Sequence, residues 1–372
     1  MTNNNFYGDK LRLARLLNGF TQQQLGESVF VSRQFVHQME GEAKQPADDV
    51  LQALCEVLKV ERDFFKSPVG NDVKLEQCHF RKRKTTPISL AHRVAAFSTI
   101  FENLVSYIKS LLELPALDFP EIEHQGEIYT NEEIERAAEV CRKKWNLGID
   151  TPISKMTRVL ENAGVVITHF DGVSEKVDAL SLNRKHPIIV RNTAKESICR
   201  MRFDLAHELG HFVLHDGVET GDNVTESEAN KFASAFIFPR ASFINEFPKM
   251  SINSRWNWND IYKLKIRWRM SARAIIYRAH YLGLITAQQY RSANVHLNRS
   301  GQAKIELYDD QIEPEKPELL EKSFNLMREH LGISFHHVAK HLDISIELLS
   351  EITGIAPDEE SYLENVVPVM FQ

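Results

Sequence analysis

Apolar positions recur every third or fourth residue through much of the chain, the spacing of a helix face. Asp9 to Leu17 reads as a short amphipathic helix and Gly19-Phe20 breaks it. Thr21 then caps a second helix over Gln22 to Val29, and Ser32 caps a third. Another helix follows, to Leu58. Residues 89–114 predict a long helix with Val94, Phe97, Ile100, Phe101, Leu104 and Ile108 on its apolar stripe. That stripe suits two uses equally, pairing subunits or packing on the region that follows. Ile134 to Trp145 predicts a further helix, and Ile261 to Leu282 a helix pair around Ser271 with one basic face. Val165-Val166-Ile167 and Ile188-Ile189-Val190 read as short strands. The predicted class is mainly α with a small β-sheet (α+β).

At 372 residues the chain exceeds one ordinary domain, and 43% hydrophobic content supports more than one core. No apolar stretch reaches the ~18 residues needed to span a bilayer. Met1-Thr2-Asn3-Asn4-Asn5 is no signal peptide, so a cytoplasmic protein without membrane contact is expected. Cys55, Cys78, Cys141 and Cys199 form no CxxC pair, which argues against a disulfide framework or a cysteine zinc knuckle and for buried thiols. The net charge of -6 would oppose nucleic-acid binding if it were evenly spread, and it is not.

Chemistry concentrates in Ala206-His207-Glu208-Leu209-Gly210-His211, an HExxH string inside a helical pattern. Positions i and i+4 lie one turn apart on one face, so His207 and His211 can reach a single ion, half of a zinc site. Glu208 is placed to take a proton from an activated water, which points to metal-assisted hydrolysis and, for this string, most often of peptides. His215 continues the row, but a straight helix sets i+8 about 12 Å along the axis, too far for a third ligand. A second helix is predicted to begin at Thr225, its expected N-cap, with Glu226 and Asn230 sharing a face. Glu226 then ligates the metal while Asn230 hydrogen-bonds the outer nitrogen of a ligand histidine. Glu228 points about 200° away from Glu226, so only one of the two can face the site, and Glu226 is the choice. Arg202 and His215 are secondary candidates for holding substrate or an oxyanion, the alternative being structural hydrogen bonding.

The run Arg202-Phe203-Asp204-Leu205-Ala206-His207-Glu208-Leu209-Gly210-His211-Phe212-Val213-Leu214-His215, then Glu226-Ser227-Glu228-Ala229-Asn230-Lys231-Phe232-Ala233 and Phe236-Ile237-Phe238-Pro239, resembles the ImmA/IrrE family of intracellular metallopeptidases. Members typically read RFxxAHELGHxxLH, then ExxANxFA, then an apolar triplet and proline. This chain departs only in its aromatic-rich triplet, where Leu-Leu-Met is commoner. The resemblance extends more loosely from Glu133 to about Gly283. It implies a zincin-like domain with Zn2+ at His207, His211 and Glu226, Glu208 as general base, and regulatory proteins as substrates. The expected small sheet beside the HExxH helix would offer an extended peptide an edge to pair with.

In the first 68 residues, Leu25, Val29 and Val36 are spaced for a shared core beneath two short helices joined by a tight turn. Arg33, Gln34, His37 and Gln38 fall on the start and outer face of the third helix, and Gln22 opens the second. Arginine suits guanine and glutamine suits adenine. With Gln38-Met39-Glu40-Gly41-Glu42 and the helix to Leu58, this segment resembles the XRE, or lambda-repressor-like, helix-turn-helix family. The resemblance implies double-stranded DNA as partner, read by a homodimer on an inverted repeat. The segment is close to neutral, so its non-specific affinity should be modest.

Four units are therefore expected: residues 1–68 for DNA binding, 69–115 as linker and long helix, 116–300 as the peptidase domain, and 301–372 as an acidic helical module. Ser67 to Asp72 has linker chemistry, and Phe80-Arg81-Lys82-Arg83-Lys84 tracks phosphates, is a solvated loop or clamps the flanking domains. In the tail, Gly332-Ile333-Ser334, Val338-Ala339 and Asp343 to Leu349 follow the spacing of Gly19-Phe20-Thr21, Leu25-Gly26 and Val31 to Val36. This degenerate helix-turn-helix has Ile346 and Glu347 where the first has Arg33 and Gln34, among many acidic neighbours from Glu306 to Glu364. It is expected to avoid DNA and either bind protein or act as a capping bundle. The whole reads as a DNA-binding regulator fused to a zinc metallo-endopeptidase that cuts a regulatory protein. Alternatively, it is a repressor or antitoxin whose peptidase-like domain senses a ligand or holds a partner without turnover.

Overall fold

A computed structural model describes residues 6–70, 73, 78–80, 87–170, 180–182, 187–192, 197–218, 220–248 and 256–357. The amino-terminal bundle comprises α1 (Gly8–Leu17), α2 (Gln22–Ser28), α3 (Arg33–Glu40) and α4 (Asp48–Leu58), and side chains cap the starts of α2 and α3. Thr21 and Gln24 close a reciprocal capping box on α2, and the Ser32 hydroxyl accepts from the Phe35 amide on α3. Leu25, Val29 and Val36 are buried as their spacing predicted. At Gly26 a Cβ would lie 2.7 Å from the Val31 carbonyl oxygen, so the tight approach of α2 to the turn requires glycine.

The remaining elements are β1 (Cys78–Phe80), α5 (Ile88–Leu111), α6 (Asn131–Lys144), α7 (Met156–Asn162), β2 (Val166–Phe170), β3 (Leu180–Leu182), β4 (Ile188–Asn192), α8 (Ile198–Leu214) and α9 (Asn223–Ile237). Then come α10 (Arg240–Glu246), α11 (Trp258–Trp268), α12 (Ala272–Tyr281), α13 (Ala287–Arg299), α14 (Leu319–Leu331), α15 (Phe335–His341) and α16 (Ile346–Thr353). The strands form one sheet in the order β1-β3-β4-β2, with β2 and β4 parallel and the other pairs antiparallel. The molecule is mainly helical around this small sheet, the class expected.

The parallel pair separates two cores. Val166, Ile188 and Val190 face a core built from α1 to α5 and α14 to α16, while Val165, Ile167 and Ile189 face one built from α6 to α13. This alternation is the two-residue period of a strand, and burial on both faces is the usual setting of parallel strands.

Of its two expected uses, the stripe on α5 has the packing one: it shares a core with Val166, Ile188 and Val190 of the parallel strands, and with the amino-terminal helices as well. It is buried in the first core beside α1, where Arg93 Nε donates to the Leu17 carbonyl at 3.0 Å. The acidic tail does carry a second helix-turn-helix backbone. Gly332 repeats the left-handed turn of Gly19, Ser334 and His337 repeat the capping box of Thr21 and Gln24, and Asp343 (φ 55°) repeats Phe30 (φ 58°). Its second helix faces inward. Ile346 is buried, and the Ile352 carbonyl accepts from Thr168 on β2 at 2.7 Å. The turn before that helix joins the amino-terminal bundle through a Val60–Ile344 bridge, with Ser345 N to Lys59 O at 2.9 Å and Glu61 N to Asp343 O at 2.8 Å. The position equivalent to Arg33 is thus consumed inside the chain.

Among the described residues no helix is long and apolar enough to cross a membrane. Cys141 and Cys199 are free and buried, with burial pushing each thiol up to about 12, and Cys55 is free and half-buried. The basic run Arg81 to Lys84, the linker residues Asn71 and Asp72, and the tail from residue 358 onward, including Glu364, lie outside the described residues.

Candidate metal centre

Helix α8 is almost wholly buried, and it presents His207 and His211 one turn apart toward α9. The two helices meet at Gly210, where a Cβ would sit 3.1 Å from Phe232 Cδ1 and 3.2 Å from Ala229 Cα. A side chain there would push apart the two helices that carry the site. The amino terminus of α9 is capped by Asp222, and Thr225, expected in that role, is a buried residue of the first turn. The Asp222 carboxylate accepts from the Val224 amide at 2.7 Å and the Thr225 amide at 2.9 Å, reaching two exposed amide donors at once.

This crossing brings together three of the predicted ligands. His207 Nε2 and His211 Nε2 are 3.1 Å apart, and the Glu226 carboxylate lies 3.5 Å from the first and 3.4 Å from the second. A tetrahedral ion with ligand bonds near 2.0–2.1 Å sets its ligand atoms about 3.3 Å apart, so the spacing fits zinc. The polarity fits as well. Asn230 Oδ1 lies 3.2 Å from His207 Nδ1, and an amide oxygen can only accept, so that nitrogen donates and Nε2 keeps its lone pair. Burial works to raise the Glu226 carboxyl, yet His207 and His211, when their rings are protonated toward it, outweigh burial and hold it at about 2. An anionic carboxylate and an imidazole lone pair converge on one point, which is where a cation is stabilised. Glu208, next to His207 on the same turn, is 1% exposed.

The other site candidates are placed as follows. His215 is buried and ends α8, 3.0 Å from the outer nitrogen of His211 and 2.9 Å from Glu228. Burial lowers the His215 pKa against the opposing pull of Glu228. Arg202 is fully buried, its guanidinium committed to Glu315 and to the Ile153 carbonyl at 2.7 Å. Its role is to tie the segment before α14 to α7 and α8, where Glu315 also accepts from the Thr157 amide at 3.0 Å. The part played by Glu228 was missed from sequence, although its direction on α9 was read correctly. Opposite Glu226 on that helix, it meets the next histidine of the α8 row and accepts the Tyr129 amide at 2.7 Å.

On the amino-terminal bundle, Arg33, Gln34 and His37 are exposed along one side of α3, and Gln38 is partly so. Gln22 bridges α2 to α3 by donating to Glu40 at 2.7 Å, a carboxylate that also holds Arg15.

A peptidase family model described as IrrE N-terminal-like domain matches residues 160–280, which span the parallel strands, α8, α9 and most of α12. A second model, described as Helix-turn-helix, matches residues 11–65. No curated protein matches the chain. The chain thus carries an XRE-type helix-turn-helix domain, which implies DNA binding, and after it an IrrE N-terminal-like peptidase-family domain with a His207, His211 and Glu226 cluster able to hold a metal ion.

Proposed function

We propose that this chain is a DNA-binding regulator whose second domain is a zinc-dependent endopeptidase acting on a regulatory protein. The convergence of two imidazole nitrogens and an anionic carboxylate beside Glu208 carries this reading. His207, His211 and Glu226 would hold a zinc ion, which when bound would supply Lewis-acid polarisation to water and to a peptide carbonyl. Glu208 takes the proton of the attacking water and delivers it to the departing amide nitrogen. Asn230 fixes the orientation of His207. The amino-terminal domain reads a short inverted repeat as a homodimer in the cytoplasm, with Arg33, Gln34, His37 and Gln38 toward base edges and Gln22 bracing the helix pair. Residues 1–68, 69–115, 116–300 and 301–372 serve as DNA reader, linker with long helix, peptidase and acidic helical module.

A second reading, in which the peptidase-family domain senses a ligand or holds a partner without turnover, draws on the tail. Glu318 pairs with Lys155 and Arg158 of the peptidase side, while Val60 and Ile344 bridge on the DNA-binding side. The decisive experiment incubates zinc-loaded wild-type and Glu208→Gln protein with the soluble proteome of the producing cell and maps new amino termini. Cleavage sites made by the wild type alone support the endopeptidase. A wild-type chain that holds zinc and cuts nothing beyond the Glu208→Gln background overturns it in favour of the sensing domain.

A further inference from the structure

The contacts behind His211 form one continuous chain. His211 Nε2 faces Glu226 and His207, so Nδ1 is its outer nitrogen, and that nitrogen lies 3.0 Å from His215 Nδ1. His215 Nε2 in turn lies 2.9 Å from Glu228 Oε2, and the other oxygen of Glu228 accepts the Tyr129 amide at 2.7 Å. All of these groups except the Tyr129 backbone belong to α8, its end and α9.

We propose that Glu228 is a positioning residue that acts through His215 to fix the proton of His211 on Nδ1, leaving Nε2 free to ligate. The inference rests on the zinc site proposed above. A carboxylate can only accept, so His215 must carry its proton on Nε2 and present a bare Nδ1. A bare His215 Nδ1 can only accept from His211, which places the His211 proton away from the metal side. The Tyr129 amide holds the carboxylate in place from the loop before α6. Asn230 does the same for His207 in a single step. Both ligand histidines therefore have assigned tautomers before any ion arrives, one set by an amide and the other by a two-residue relay.

Glutamine at 228 reverses the relay while conserving shape. If its NH2 faces His215, that ring must accept on Nε2 and carry its proton on Nδ1, which forces the His211 proton onto the ligating nitrogen. If the amide turns over, its NH2 confronts the Tyr129 N–H. Alanine leaves space for water, which can accept from His215 and keep the native direction. The order of the two variants therefore separates polarity from packing, because a packing role makes the isosteric glutamine the milder change.

The test measures zinc affinity by chelator competition for wild type, Glu228→Gln and Glu228→Ala, with circular dichroism of the metal-free chains to confirm equal folding. Glu228→Gln should bind zinc roughly 10- to 100-fold more weakly than wild type, and Glu228→Ala should fall between them. Glutamine at wild-type affinity, or alanine weaker than glutamine, overturns the proposal. Should the glutamine variant fail to fold, long-range 1H–15N spectra of histidine-labelled wild type decide. The proton of His215 belongs on Nε2, and finding it on Nδ1 overturns the relay. A wild-type chain that binds no zinc instead overturns the metal site itself, and the relay with it.

Discussion

Replacing Glu315 with alanine should be among the most damaging single changes outside the metal centre. Arg202 and Glu315 form an ion pair whose side chains are 0% and 2% exposed, so neither charge has water to fall back on. Removing the carboxylate leaves the guanidinium with only the Ile153 carbonyl among its hydrogen bonds described above, and it strips the Thr157 amide of its acceptor. Breaking one side of a buried pair costs about 3–5 kcal/mol, and an unmet buried amide about 1–3 kcal/mol. The two overlap because water entering the vacated space serves both, so a loss of about 4 kcal/mol is expected. Replacing both partners with apolar residues, Arg202→Met with Glu315→Leu, removes the orphaned charge and should recover most of that loss. The four tryptophans, Trp145, Trp256, Trp258 and Trp268, all lie in or against the second core, so urea denaturation followed by tryptophan fluorescence reads the affected region. A Glu315→Ala midpoint corresponding to less than about 1 kcal/mol, or a double variant as unstable as the single, would refute the assignment of Arg202 to this buried tie.

Other outcomes follow from named contacts. Asp222→Ala should cost about 0.5–2 kcal/mol in thermal or chemical unfolding through loss of the α9 cap, and should weaken metal binding because Glu226 lies in the first turn it secures. Gly210→Ala should destabilise by roughly 1–3 kcal/mol and lower zinc affinity, since the new Cβ meets Phe232 and the backbone of α9. Arg33→Ala or Gln34→Ala should each weaken specific DNA binding by roughly 1–3 kcal/mol in a gel-shift titration against the chain's own promoter, with Glu208→Gln unchanged. Equal affinity for that promoter and scrambled DNA at physiological salt would refute sequence-specific reading. Zinc affinity should fall with pH while Glu226 is still ionised, because Glu226 stays a carboxylate down to about 2 while protons compete with the ion for the ring nitrogens of His207 and His211. Retention of zinc down to pH 3 would place the ion elsewhere.

How much was legible differs sharply from site to site. The His207, His211 and Glu226 cluster was readable because i, i+4 spacing on a helix is a local property that tertiary packing leaves intact. The same held for the caps at Thr21 and Ser32, where the side chain bonds its own helix. Asp222 escaped because Thr225, three residues on, is an equally good capping type, and only the backbone path decides between them. The fate of the α5 stripe was not readable, since an apolar face records that it is buried and says nothing of its partner. Glu228 and Glu315 illustrate the deeper limit. Their partners, His215, Tyr129, Arg202 and Thr157, lie 13 to 158 residues away in sequence, and no local pattern encodes such pairings.

The central claim is that His207, His211 and Glu226 hold one zinc ion and that Glu208 is not a ligand. Zinc content after exhaustive dialysis, measured by mass spectrometry on wild type, Glu226→Ala and Glu208→Gln, tests it most directly. About one zinc per chain is expected in the wild type and in Glu208→Gln, with near-complete loss in Glu226→Ala. Zinc retained by Glu226→Ala at the wild-type level, or lost from Glu208→Gln, would contradict the account.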